Sequence, residues 1–314
     1  MIIKRRWLGR LLTITIMLVS FMGTLSNVYA QESVQSLGWN VEADKDAFYP
    51  GEPVLLTLNI MNKGTREEKV DFGMDGIGAF SMKIRDSNDI IIAEGGKIQK
   101  FGMTRLGTLL VPSGETRQKS IVLNRWCSTL QRPGRYHIIC DIEYRLRSEV
   151  QKQPNTIVVK AGPLHRVQLE LDIQIIKTDN AKFKEIIESL VASKVRPETQ
   201  SKGEWLAEKD IKTEMLALTE SELAVPYQLK LLKNEPLNWF GPDAVNSLVR
   251  SGTLEAAGGL VQIIEDPSIY KENMTPIFIE GVYRLCETGK TEIINATKEF
   301  VVKYKRPVMS TPID

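Results

Sequence analysis

Residues 47–64 read AFYPGEPVLLTLNIMNKG. Pro50 and Gly51 open the stretch with a turn, the first fixing φ and the second leaving the backbone free to bend. Side chains then alternate. Val54, Leu56, Leu58 and Ile60 fall on one face, and Leu55, Thr57, Asn59 and Met61 on the other. Asn62-Lys63-Gly64 ends the run. Strict alternation buries one face of a strand and wets the other. The stretch therefore predicts one long strand from Glu52 to Met61, held between two turns.

The same period of two recurs on both sides. It appears in LGWNVEA from Leu37, in FSMKI from Phe80 and in RYHIICDIEYRL from Arg135. RVQLELDIQI from Arg166 is the cleanest case, with Val167, Leu169, Leu171, Ile173 and Ile175 set against Gln168, Glu170, Asp172 and Gln174. Turn residues separate the runs at Pro112-Ser113-Gly114 and Pro133-Gly134. Several such strands with loops between them predict an antiparallel sandwich. Gly134, one spacer and Tyr136 at the start of a strand resemble the tyrosine corner of immunoglobulin-like sandwiches, in which the phenol bonds back to upstream backbone.

From about Asn180 the period becomes helical. NAKFKEIIESLVASKV places Phe183, Ile186, Ile187, Leu190 and Val191 on one stripe. Gly241-Pro242-Asp243 starts a helix well, with proline in the first turn and an acid beside it. Gly252 and Gly289 stand where glycine ends helices. AVPYQLKLLKN, AAGGLVQIIED and INATKEFVVKY share small residues early and an apolar pair late: Leu231-Leu232, Ile263-Ile264 and Val301-Val302. Those pairs are expected to be buried between layers. The pattern resembles HEAT-type helical repeats, although its spacing is shorter than the ~40–47 residues usual for them.

The strand-and-turn order over about Leu37 to Lys160 resembles bacterial immunoglobulin-like domains, including the intracellular proteinase inhibitor family. No functional residue carries over from that resemblance. It implies a multidomain β + α chain, an antiparallel immunoglobulin-like β-sandwich followed by an α-helical HEAT-like repeat domain. The expected boundaries are a signal peptide at 1–30, the sandwich at 34–178, the helical domain at 179–306 and a C-terminal tail at 307–314.

The signal-peptide reading rests on Lys4, Arg5, Arg6 and Arg10, the uncharged run LLTITIMLVSFMGTL, and the small residues Val28 and Ala30 of VYA. Cleavage after Ala30 would start the mature chain at Gln31. Of 41 basic residues those four leave 37, against 39 acidic ones, a net charge of −2. A near-neutral mature chain gives no electrostatic reason to expect nucleic acid or an anionic membrane as partner. The address read here is periplasmic or extracellular, with no stable membrane insertion after cleavage.

Chemistry is hard to find. His137 sits within a strand and His165 at a junction, neither with ligand spacing for a metal. Ser268 to Lys271 matches Ser-x-x-Lys without that class's companion motifs, and no Gly-x-Ser-x-Gly occurs. No catalytic, cofactor-binding or metal-binding residue is assigned. Cys127 and Cys140 flank Pro133-Gly134 symmetrically. In an exported protein they are a candidate disulfide, whether the turn closes a hairpin or the chain crosses between sheets there. Cys286 reads as a buried apolar residue. Trp239-Phe240 precedes a helix and reads as a staple folded back onto it, with an exposed anchor for a partner as the other reading. The function expected is a secreted non-catalytic binding or scaffold protein, whose partner is another protein or a cell-envelope component. A secreted hydrolase with a site at the domain junction and a protease inhibitor are the alternatives.

Overall fold

The computed structural model describes residues 36–73, 79–95, 107–127, 130–147, 151–153, 156–158, 161–191, 202–234, 240–266, 268–269 and 275–307. The signal-peptide reading at 1–30, residues 308–314 of the expected tail, Trp239, and Tyr270-Lys271 of the Ser-x-x-Lys match lie outside the described residues.

In chain order the strands are β1 (Leu37–Ala43), β2 (Ala47–Phe48), β3 (Leu55–Asn62), β4 (Glu68–Asp71), β5 (Phe80–Arg85), β6 (Ile91–Gly95), β7 (Thr108–Val111), β8 (Thr116–Val122), β9 (Gly134–Arg147), β10 (Gln151–Gln153), β11 (Thr156–Val158) and β12 (Ala161–Ile175). β1, β3 and β8 form a small antiparallel sheet with β3 in the middle. A larger sheet runs β2-β12-β9-β4-β7, with β5 also on β9 and β6 on β5. β10 and β11 make a separate hairpin. Every pairing is antiparallel except the short one between β2 and the end of β12.

The two sheets share one core, as the alternation requires. Leu56, Leu58 and Ile60 of β3 are fully buried with Phe80 and Ile84 of β5 and Ile138 of β9. Aromatic rings run through it: Trp39 lies 6.3 Å from Phe72, Phe72 5.6 Å from Phe80, and Phe80 6.4 Å from Trp126, centroid to centroid.

The opening stretch differs from its sequence reading in one respect. The strand begins at Leu55, not Glu52. The side chain of Asn124 takes the place of a neighbouring strand over residues 52–54: it accepts from the Val54 N–H at 2.7 Å and donates to the Glu52 carbonyl at 3.1 Å. Glu52 is itself buried, accepts from the Tyr49 N–H at 2.8 Å and pairs with Lys45. Gly51 at φ 76° is the residue this turn needs.

Pro133-Gly134 does not close a hairpin. β8 before it belongs to the small sheet and β9 after it to the large one, so the chain crosses between sheets. At the crossing, the Tyr136 hydroxyl donates to the Arg132 carbonyl at 2.8 Å, the contact the Gly-x-Tyr spacing suggested.

Seven α-helices are described: α1 (Asn180–Val191), α2 (Lys202–Ala217), α3 (Val225–Asn234), α4 (Gly241–Ser251), α5 (Leu254–Glu265), α6 (Thr275–Cys286) and α7 (Thr291–Lys303). From α2 on, the helices pack against the next but one as well as their sequence neighbours. α2, α4 and α6 make one row, and α3, α5 and α7 the other. Leu232, Ile263 and Ile264 are buried between the rows, whereas Leu231 and Val301 are only half-buried. Val302, expected inside, is 84% exposed. It points away from the stack on the last helix, where no further described helix covers it.

The helices dock on the small sheet. Val122 of β8 is buried with Met215 and Leu218, and Tyr49 with Phe183, Ile187 and Leu216.

Candidate functional site

The junction between sheets and helices and a cleft between α3 and α5 both bring polar groups together.

At the junction, Arg125 follows β8 in a short 3-10 turn and is nearly buried, its side chain 7% exposed. Its Nε donates to Glu214 of α2 at 2.7 Å, and Nη2 reaches Asp243 of α4 at 3.0 Å. Burial opposes the charge, but Asp243 and Glu214 outweigh it and hold the guanidinium above its ordinary pKa. Asp243 is thus the first-turn acid of α4 and a tie to the sheets at once. Nearby, the Glu220 N–H donates to the Gly51 carbonyl at 2.9 Å, and its carboxylate meets Arg250 at 2.7 Å and Gln131 at 3.2 Å. Burial raises the Glu220 pKa against those partners. A Cβ on Gly51 would stand 2.1 Å from the Glu220 carbonyl oxygen, so only glycine fits that approach. These groups are occupied with one another and serve attachment. Neither histidine belongs to the junction: His137 on β9 lies 3.0 Å from Asp172, and the His165 ring on β12 lies tilted, 5.3 Å from that of Tyr144.

The cleft is built by small residues. Thr253 caps α5, accepting from the Ala256 N–H at 3.1 Å, and Ala256 to Gly259 follow in the first turns. A Cβ on Gly259 would lie 2.3 Å from Leu229 Cδ1, so the glycine admits Leu229 of α3 against the α5 backbone. Gly258 beside it faces open space, with nothing within 4 Å of its Cβ position. The result is a cleft of about 500 Å³ with Pro226 and Leu229 in its wall. Lys230 and Lys233 stand exposed on the α3 rim, Glu255 and Gln262 on the α5 rim. Lys233 Nζ lies 3.5 Å from the Gln262 side-chain oxygen, and Lys230 has no carboxylate partner among the described residues.

The residues singled out from sequence are scattered. Phe240 is buried in the helical core at the start of α4. Cys127 and Cys140 are both buried and are not joined by a disulfide in the structure. Cys140 stands in β9 between Met82 and Leu169, and burial pushes its thiol up to about 12. Cys286 packs at the edge of the helical core, 3.0 Å from the Thr297 hydroxyl. Sequence reasoning missed both Arg125 and the cleft. The paired glycines 258–259 inside a helical pattern were the available signal for the second, because helix-interior glycine normally costs stability.

No protein-family model matches the chain, and no curated protein does. Among solved structures it is similar to the sporulation control protein Spo0M of Bacillus subtilis, at 12% identity and TM-score 0.23, over 50% of this chain and 54% of that one. It is also similar to the β-glucosidase EmGH1 of Erythrobacter marinus, at 15% identity and TM-score 0.20, over 43% of this chain and 15% of that one. The C-terminal domain of wzt matches at 8% identity and TM-score 0.22, over 46% of this chain and 75% of that one.

Proposed function

We propose that the chain is an exported, non-catalytic binding protein. In this reading an immunoglobulin-like β-sandwich carries a short HEAT-like helical stack, and the α3–α5 cleft holds an extended acidic segment of another protein of the periplasm or extracellular space. The observation that carries it is the cleft: an open floor at Gly258 beside Lys230, which has no carboxylate partner among the described residues, and the weakly held Lys233. A stack in which each helix contacts mainly its neighbours leaves such faces open. The two-row packing supports the HEAT-like description, and the Tyr136–Arg132 bond supports the immunoglobulin-like one. Export is supported by the basic start, apolar run and VYA of the first 30 residues. A hydrolase at the junction is disfavoured because Arg125, Glu214, Asp243, Glu220 and Arg250 are engaged with each other there.

The test is fluorescence anisotropy of the mature chain with labelled acidic, neutral and basic peptides of equal length. Acidic peptides bind best, and the double substitution Lys230→Glu/Lys233→Glu weakens them at least about tenfold, equivalent to ~1.4 kcal/mol. Equal binding of all three classes would overturn the reading.

A further inference from the structure

Among the described residues, no strand pairs with the outer edge of β12 along most of its length. β9 pairs with one side of the strand throughout, while β2 covers only Gln174 and Ile175 on the other. The Gln174 N–H reaches the Asp46 carbonyl at 3.1 Å, so the even-numbered residues aim their backbone groups at this edge. From Leu164 to Ile173 no described strand pairs with it.

Monomeric β-proteins blunt such an edge with proline, a bulge, a very short strand, charged side chains or a covering segment. Between Leu164 and Ile173 there is no proline or bulge, β1 approaches β12 but hydrogen-bonds to β3 of the other sheet, and the charges along the edge are of both signs. The register irregularity falls before Leu164, and the inward residues Val167, Leu169 and Leu171 are apolar and only half-buried. The outward residues are Arg166, Gln168, Glu170 and Asp172, all exposed.

That pattern is self-complementary. When two copies run antiparallel about a two-fold axis at Leu169, Arg166 of each copy stands opposite Asp172 of the other, and Gln168 opposite Glu170. On the inner face Leu169 meets its own copy and Val167 meets Leu171. An axis at Glu170 would set that carboxylate against itself, and one at Gln168 would set Leu171 against His165. The Leu169 register also fits the ends of the open edge. It places Pro163, which cannot donate, opposite Ile175, where β2 already holds the edge.

We propose that this edge closes on a second copy of the chain, joining two large sheets into one across a two-fold axis. Backbone pairing supplies the contact, and the Arg166–Asp172 pairs fix the register.

Sedimentation of the mature chain tests the proposal. The wild type sediments with doubled mass. Arg166→Glu alone and Asp172→Arg alone each weaken the dimer at least tenfold. An equimolar mixture of the two variants regains it, because both cross-axis pairs are then opposite in charge. Register is read by disulfide trapping: a mixture of Gln168→Cys and Glu170→Cys chains yields a covalent dimer on mild oxidation, since directly opposed hydrogen-bonded residues lie ~5.5 Å apart at Cα, whereas neither variant alone does. All four substitutions are on exposed side chains, so circular dichroism should show an unchanged fold. A wild type that stays monomeric at its highest soluble concentration overturns the proposal, as does a dimer in which the mixtures neither restore assembly nor trap. Lys230→Glu/Lys233→Glu leaves the dimer unchanged, which keeps this result separate from that of the cleft.

Discussion

Arg125→Met is the sharpest perturbation of the junction. The substitution keeps the side chain's bulk and removes its charge. It breaks contacts of 2.7 Å to Glu214 and 3.0 Å to Asp243 while leaving both carboxylates in place. Removing one member of a buried ion cluster costs ~3–5 kcal/mol, because the remaining charge is uncompensated. The Glu214 and Asp243 side chains keep 16% and 23% exposure, so water relieves part of that penalty. The expected loss is therefore near the lower bound, about 3 kcal/mol. For a chain of this size each kcal/mol lowers the Tm by ~2–4 °C, so a fall of about 6–12 °C is expected. Urea unfolding of the mature chain, followed by tryptophan fluorescence and far-ultraviolet circular dichroism, reads both the loss and whether sheets and helices unfold together. Adding Glu214→Gln and Asp243→Asn to Arg125→Met should restore most of the stability, since no buried charge is then left unpaired. Lys303→Met serves as the contrast: it breaks a 3.0 Å pair with Glu265 whose members are 60% and 43% exposed, and should change stability by less than about 1 kcal/mol. An Arg125→Met protein as stable as the wild type would refute the reasoning that this cluster locks the two halves together.

The two cleft glycines should respond oppositely to the same change. Gly258→Ala should raise the urea midpoint, by up to about 1 kcal/mol of helix propensity, whereas Gly259→Ala should lower it by about 1 kcal/mol or more through overpacking against Leu229. Cys140, its thiol pushed up to about 12 by burial, should not react with a thiol reagent at neutral pH in the folded chain. After denaturation all three cysteines should titrate, and a count two lower would show a Cys127–Cys140 bond. Burial raises the Glu220 pKa above its unfolded value, so its contribution to stability is fully present below the unfolded pKa and is lost as pH rises through the folded one. Unfolding measured at several pH values should therefore show Glu220→Gln gaining on the wild type between mildly acidic and neutral pH.

Much of the β half was legible because its strands alternate cleanly. Val54, Leu56, Leu58 and Ile60 needed only the period of two to be placed inside, and all four are fully buried. The start of that strand was not legible, because Asn124, seventy residues away in sequence, replaces its first pairings. The Pro133-Gly134 turn was ambiguous for a related reason: a turn residue marks where a chain bends, not which sheet it enters next. The helical period located α1 and α3 to α7 and passed over α2, and the apolar pair Val301-Val302 gave no sign that Val302 would face outward, since burial there depends on whether another helix follows. Arg125 was invisible as a site because its partners come from two different helices. The carboxylates beside His137 come from β12, and only the strand register brings them there.

The α3–α5 cleft is the proposed binding site of this protein. The most direct test is a photo-crosslinking amino acid placed at Gly258 of the full chain in its native cells, with adducts mapped by mass spectrometry. Its control is the same probe at Lys182, a 70% exposed position on α1. The account predicts that the Gly258 probe captures an acidic protein segment, that Lys182 does not, and that Lys230→Glu/Lys233→Glu abolishes the adduct. Identical adducts from both positions, or a Gly258 adduct indifferent to the charge reversal, would contradict it.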